Sequence, residues 1–165
     1  MIDLRNLVKE FGDLRAVDDL SLKVDAGEFY VVLGPNAAGK TTTIKMLVGL
    51  ISPTSGTLNV CGFDVEKEPM EVRRRLAFVP DFPFLYDKLT PWEFFRFTGQ
   101  LFHLTEEQIQ RQTRELIPRF SLNPYLDKRI ESLSHGTRQR IAIVSALMHE
   151  PKLFVLDEPM VGLDP

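Results

Sequence analysis

Near the start of the chain, apolar and polar side chains alternate. Ile2 and Leu4 are interleaved with Asp3 and Arg5, and Leu20, Leu22 and Val24 with Ser21, Lys23 and Asp25. Period-two alternation of this kind predicts half-buried antiparallel strands. The run FYVVL (29–33) is apolar at every position and leads at once into a glycine-rich turn and a helix-like segment. It predicts a central strand covered on both faces, the first of a parallel α/β core. Gly56 to Val60 reads as a short strand, and LAFV (76–79) and LFVL (153–156) as buried ones. From Asp81 the spacing becomes helical. Thr90-Pro91-Trp92-Glu93 and Thr105-Glu106-Glu107-Gln108 are capping boxes, which place helix starts at 91 and 106. Phe94, Phe97, Leu101 and Leu104 share one face of the first helix. Ile109, Leu116, Ile117 and Phe120 share one face of the second, which Pro118 bends or ends. A third helix fits 136–149 through Ile141, Val144, Leu147 and Met148. The pattern as a whole predicts one α/β domain. Its core is drawn from 1–80 and 150–165, with an N-terminal antiparallel β subdomain and a helical insert at 81–149.

Composition narrows the class. With 165 residues, 44% hydrophobic and 26% charged, the chain can bury one ordinary core, and disordered or fibrous readings are excluded. A net charge of −3 argues against an indiscriminate nucleic-acid binder and against a polybasic membrane-surface protein. The single cysteine, Cys61, cannot form an internal disulfide, and MIDLR has Asp3 where a secretory signal has a basic start and an apolar run. A reducing cytoplasm is the expectation. No apolar run is long enough to span a bilayer, so a membrane role has to come through a partner.

The chemistry begins after FYVVL, where GPNAAGKT (34–41) precedes the helical TTIKMLVGL. Strand, glycine-rich loop and helix in this order form a Walker A phosphate loop. Gly34 and Gly39 let the backbone curl so that successive N–H groups converge on phosphate oxygens, and the helix beginning near Lys40 points its positive end at the same anion. Lys40 reaches the β and γ phosphates, Thr41 offers a hydroxyl to Mg²⁺, and Thr42 lies near the α phosphate. A phosphate loop alone leaves kinases, GTPases and motor-like ATPases open. LFVLDE (153–158) supplies a second half, a strand ending in adjacent carboxylates, which is the Walker B arrangement. Asp157 then faces Mg²⁺, directly or through water, and Glu158 faces the attacking water.

Between these motifs lies LSHGTRQR (133–140), and after them VGLDP (161–165). Together with GPNAAGKT and LFVLDEP, in this order, they resemble the ATP-binding cassette family, specifically the nucleotide-binding subunits of ABC transporters, over the whole chain. The resemblance implies ATP and Mg²⁺ as ligands. It implies a loop cradle from Gly34, Asn36, Ala38, Gly39, Lys40, Thr41 and Thr42, Mg²⁺ placed by Thr41, Asp81 and Asp157, catalysis by Glu158 and Lys40, and Phe11 as the aromatic that stacks on adenine. Ser134 is a good N-cap and Gly136 allows close approach, so the helix they open presents free N–H groups to an anion. In the family that anion is the γ phosphate held by the other subunit, so Ser134 and Gly136 imply a homodimer or heterodimer. A transmembrane permease is the implied partner, and the implied place is the inner face of the cell membrane, peripherally bound.

Departures from the family pattern bear on these roles. Asp81 stands where the family usually has glutamine; a carboxylate holds Mg²⁺ more strongly but cannot donate a hydrogen bond. Ala37 replaces a glycine, so a positive φ there carries strain. His135 and Thr137 replace the usual glycine and glutamine of the signature, as in exporter ATPases whose permease is a separate polypeptide. Nine of the sixteen Phe, Trp and Tyr residues fall in 78–102, which has two readings: a run made mostly of core side chains, or, as the resemblance implies, a partly exposed patch on which a permease's coupling helix docks. The family's later strands and switch histidine have no counterpart before Pro165. The expectation is therefore a core incomplete at the C-terminus, with a strand lacking between the Walker A and Walker B strands. A soluble ABC ATPase of repair or translation, and a non-hydrolysing ATP-binding module, are the rival readings.

Overall fold

In the computed structural model, which describes residues 1–35 and 37–157, the chain divides into two compact units, Met1–Leu76 and the remainder from Ala77. In the first unit, β1 (Ile2–Phe11), β2 (Leu14–Val24), β3 (Ser55–Val60) and β4 (Phe63–Asp64) form an antiparallel sheet of order β2-β1-β3-β4. The alternation is legible in the pairing: Ile2 faces Val24 and Leu4 faces Leu22 on one side, and Ile2 faces Val60 and Leu4 faces Leu58 on the other. The register then slips between Leu4 and Leu7, where Asn6 and Asp19 both adopt φ 48° and the Asn6 amide donates to Asp19 Oδ1 at 2.8 Å. This bulge changes the phase of the strand, which is why Leu7 follows Leu4 into the core and is fully buried. Gly56 fits against the same bulge; a Cβ there would stand 2.4 Å from the Asn6 carbonyl oxygen. Helix α1 (Lys40–Leu47) buries Met46 and Leu47. The short α2 (Pro69–Arg73) buries Val72, while Arg75, beyond it, stacks on Phe63 and pairs with Glu71.

The expected central strand at 29–33 is not formed. Residues 25–35 carry no strand among the described residues, and Phe29 and Leu33 are 94% and 87% exposed. An all-apolar strand is stable when neighbours hydrogen-bond its edges and cover its faces, and the described residues provide neither at this run.

The second unit joins β5 (Leu76–Val79) and β6 (Leu153–Leu156) in a two-stranded sheet, with α3 (Pro91–Leu101), α4 (Glu106–Arg119) and α5 (His135–Leu147) between them in sequence. Both capping boxes are present. Thr90 Oγ1 accepts from Glu93 N and Thr105 Oγ1 from Gln108 N, each at 3.2 Å, and the Glu93 and Gln108 side chains accept from the cap backbone in return. Ile109, Thr113 and Ile117 line the buried face of α4, and Pro118 precedes its end by one residue. The buried face of α3 is rotated from the predicted one. Phe94, Phe95 and Gly99 are inside, while Phe97 and Leu101 are exposed. Gly99 decides this, because a Cβ on it would lie 2.6 Å from Ile109 Cγ1, so only a glycine lets α3 and α4 approach there. Phe95, Ile109, Ile130, Ile141, Val144 and Met148 form the centre of the core, each such side chain contributing about 1.5–3 kcal/mol on burial. Strand β6 is half-buried rather than enclosed, and Leu156 is exposed.

Candidate functional site

The glycine-rich loop is built on β2. Gly39 is the N-cap of α1 with φ 79° and ψ 2°, and a Cβ on it would stand 2.4 Å from the Ala16 carbonyl oxygen and 3.3 Å from Val17 Cγ2. Both the left-handed backbone and the close approach to a strand demand glycine. The first turn of α1 closes on the same residue, whose carbonyl accepts from Thr43 N at 2.8 Å and Thr43 Oγ1 at 2.9 Å. Ala37 lies at φ 65°, the strained conformation expected at that position. Gly34 corrects the reading of the loop glycines: its φ is not left-handed, and a Cβ would make only an ordinary 3.6 Å contact with Ala38. Lys40 Nζ donates to the carbonyls of Gly34 at 2.5 Å and Pro35 at 2.7 Å, so its ammonium lies at the start of the loop. Thr41 and Ala38 are exposed and Thr42 half-buried. Asn36 lies outside the described residues.

Phe11 ends β1 and is 49% exposed. Lys9 Nζ stands 5.0 Å from the ring centroid and donates to the Ser52 carbonyl at 2.7 Å.

In the second unit, Asp157 follows β6, and its backbone N–H donates to the Val79 carbonyl at 3.0 Å, fastening it to the end of β5. Asp81, two residues beyond β5, is half-buried, and its Oδ1 has no hydrogen-bond partner among the described residues. A buried carboxylate oxygen left unpaired is costly unless a ligand completes it. Both carboxylates thus follow strands of one small sheet. Thr41 belongs to the other unit, and among the described residues no cluster of three His, Cys, Asp or Glu forms a metal site. Glu158 and VGLDP lie outside the described residues. Ser134 caps α5 at φ −62° and ψ 157°, and its Oγ accepts from Thr137 N at 3.4 Å. The helix begins at His135, one residue before the predicted start, and Gly136 lies in its first turn.

A sequence model described as ABC transporter matches residues 17–161, nearly nine-tenths of the chain. The chain belongs to the ABC transporter family. It is 39% identical over its full length to Nod factor export ATP-binding protein I of Cupriavidus metallidurans, of which it covers 54%. To the ABC transporter ATP-binding protein NatA of Bacillus subtilis it is 37% identical, with 99% of this chain and 69% of that protein covered. A solved structure described as the ATP binding subunit of an ABC transporter superposes with a TM-score of 0.92 at 33% identity, over all of this chain and 69% of that one. The fold is therefore that of an ABC ATPase, α/β with an antiparallel N-terminal sheet and a helical segment. The chain spans about half the length of the first of these relatives. As a family, ABC ATPases bind ATP and hydrolyse it, and generally require Mg²⁺.

The aromatic segment divides between its two readings, core and exposed patch. Of the nine side chains only Phe94 and Phe95 are buried, whereas Phe82, Phe84, Tyr86 and Phe97 are exposed. Tyr86 and Phe97 meet edge to face at 5.1 Å, and Phe84 meets Tyr86 at 6.3 Å. The signal available in the sequence was PDFPFLY (80–86), where two prolines within four residues (80 and 83) break any helical or strand period that would turn these rings inward.

Proposed function

We propose that the chain is the ATP-binding and ATP-hydrolysing portion of an ABC exporter subunit, which works as a dimer to drive a separate membrane permease. The observation that carries this reading is the loop geometry. Gly39, left-handed and pressed against β2, starts α1 so that Lys40 and the first-turn N–H groups sit at one loop, as an oligophosphate needs. Lys40 leaves its two carbonyl acceptors to hold the β and γ phosphates, and the loop from Gly34 through Asn36 and Ala38 to Thr42 supplies further donors. Hard oxygen donors at Thr41, Asp81 and Asp157 would each suit Mg²⁺, and the unpaired Asp81 Oδ1 fits such a ligand. When bound, Mg²⁺ neutralises charge on the β and γ phosphates. Glu158 orients water and takes its proton, and Lys40 stabilises charge on the transferring group. Phe11 offers a ring face to adenine, with the Lys9 ammonium near the ring. Ser134 and Gly136 address the nucleotide held by the second subunit.

The exposed rings of Phe82, Phe84, Tyr86 and Phe97 supply the apolar surface on which the permease docks. Docked there, the chain sits as a peripheral subunit on the cytoplasmic face; among the described residues no helix is long and apolar enough to cross a membrane. The lean to export rests on the relative named for Nod factor export and on His135 and Thr137 in the signature.

The test uses the full-length subunit with its permease. Lys40→Ala abolishes high-affinity MgATP binding in a direct titration. Glu158→Gln keeps binding, accumulates an ATP-bound dimer and slows turnover by about 10²- to 10⁴-fold. Unchanged affinity in the first variant, or unchanged turnover in the second, overturns the assignment.

A further inference from the structure

Ser134 is exposed, but the group that holds it is not. Thr137 is 3% exposed, and its Oγ1 lies 2.9 Å from Ser134 Oγ. The same Thr137 oxygen accepts from Arg140 Nη2 at 3.1 Å. Arg140 is itself fixed by two further bonds, from Nη1 to the Phe120 carbonyl at 3.1 Å and from Nε to the Gly136 carbonyl at 3.4 Å. Among the described residues no carboxylate pairs with it.

These contacts decide the direction of the hydroxyl protons. A threonine hydroxyl has one proton and two lone pairs. Arginine can only donate, so one Thr137 lone pair is taken. Were Ser134 to donate to the other lone pair, the Thr137 proton would have no acceptor in a buried position, which native structures avoid. The arrangement that satisfies every group has Thr137 O–H donating to Ser134 Oγ, with Thr137 N–H donating to it as well. Ser134 then accepts twice from within the protein, and its own proton points outward. A cation at the far end polarises each bond in the chain in the same direction.

We propose that Thr137 and Arg140 are positioning residues that make Ser134 a one-way hydrogen-bond donor toward the phosphate of the nucleotide held by the second subunit. Threonine keeps both an acceptor and a donor at this position, as the carboxamide of glutamine does, so the departure at 137 is on this view a working alternative rather than a loss. The inference rests on the reading of Ser134 under Proposed function, and the experiment separates the two.

In the full-length subunit carrying Glu158→Gln, ATP-driven dimerisation is measured by sedimentation, and MgATP binding to the monomer by titration. Ser134→Ala reports on the reading of the site, and it weakens the dimer at least 10-fold. Thr137→Val weakens it about 10-fold while monomer binding and thermal midpoint stay near the parent values. Thr137→Ser, which keeps the relay, restores the dimer. Added to Ser134→Ala, Thr137→Val has no further effect, which a merely structural role would not produce. If valine disrupts folding, Thr137→Ala against Thr137→Ser makes the same comparison. Dimerisation equal for valine (or alanine) and serine at 137 overturns the relay while leaving the site reading intact. An unaffected dimer in Ser134→Ala overturns both.

Discussion

Replacing Gly39 by alanine adds two costs at one atom. The residue sits at φ 79°, where a Cβ costs about 1–2 kcal/mol. That Cβ would also stand 2.4 Å from the Ala16 carbonyl oxygen, a backbone atom of β2 that cannot rotate away as a side chain would. Relief requires the loop and the strand to separate, and overpacking of this kind costs about 1–3 kcal/mol. The expected loss is about 2–5 kcal/mol, a large fraction of the roughly 5–15 kcal/mol that holds a domain together. Ala37, two residues earlier at φ 65°, is the internal control. Glycine there removes about 1–2 kcal/mol of strain and returns about 0.4–1 kcal/mol of unfolded-state entropy, so Ala37→Gly is neutral to stabilising, by about 0–1.5 kcal/mol. Urea denaturation of both variants, compared at fixed slope, measures each difference. Gly39→Ala must lose stability and Ala37→Gly must not. A Gly39→Ala midpoint close to that of the parent, or a loss in Ala37→Gly, would show that the loop does not hold this conformation.

Two further predictions rest on local contacts. Thr105→Ala removes the hydroxyl that accepts from Gln108 N and lowers stability by about 1 kcal/mol in the same assay, while Thr105→Ser restores most of it. Asp64 is held below the usual carboxylate range by the hydrogen bond from the Lys67 ammonium, then by the Lys67 backbone N–H and the Glu66 N–H. Its contribution is therefore present above the ordinary carboxylate range and lost as the pH falls through the depressed value. The thermal midpoints of parent and Asp64→Asn should converge on acidification, and a gap that widens toward acid would reverse the sign.

What was legible in the sequence was local in origin. The capping boxes at Thr90 and Thr105 specify their own partners three residues on, and both formed as read. The alternating runs at 2–5 and 20–25 read as antiparallel strands, and they pair with each other, Ile2 with Val24 and Leu4 with Leu22. Lys40 and Ser134 were likewise readable as the first residue and the N-cap of helices. The features that escaped depend on distant residues. Nothing near Gly39 announces Ala16, and nothing near Phe97 announces that Gly99 packs on Ile109. Spacing puts Phe94, Phe97 and Leu101 on one stripe, but the closest approach between helices turned α3 toward Phe95 and Gly99 instead. Hydropathy also reports what a segment would gain from burial, not whether neighbours exist to bury it.

That distinction yields a prediction at residues 29–33. If FYVVL were a strand enclosed on both faces, Val32→Ala would remove methyl groups from a packed interior, at about 1–3 kcal/mol by the lost transfer and cavity terms. In the structure Val31 and Val32 are 55% and 52% exposed, and no strand forms there among the described residues. Truncating a side chain half in water removes little burial and leaves no cavity, so the expected change is within about 0.5 kcal/mol, the range of an ordinary surface substitution. Val60→Ala provides the scale, because Val60 is fully buried between β1 and β4 and should lose at least 1 kcal/mol in the same chain. Five apolar side chains in this state also forfeit burial worth roughly 1.5–3 kcal/mol each when complete, a sum comparable to the whole stability of a domain. The 165-residue chain should therefore bind an apolar dye and self-associate, and Val31→Lys with Val32→Lys should suppress both without lowering the urea midpoint. A loss at Val32→Ala as large as that at Val60→Ala would mean that this run is packed after all, and the exposed description of 29–33 would be wrong.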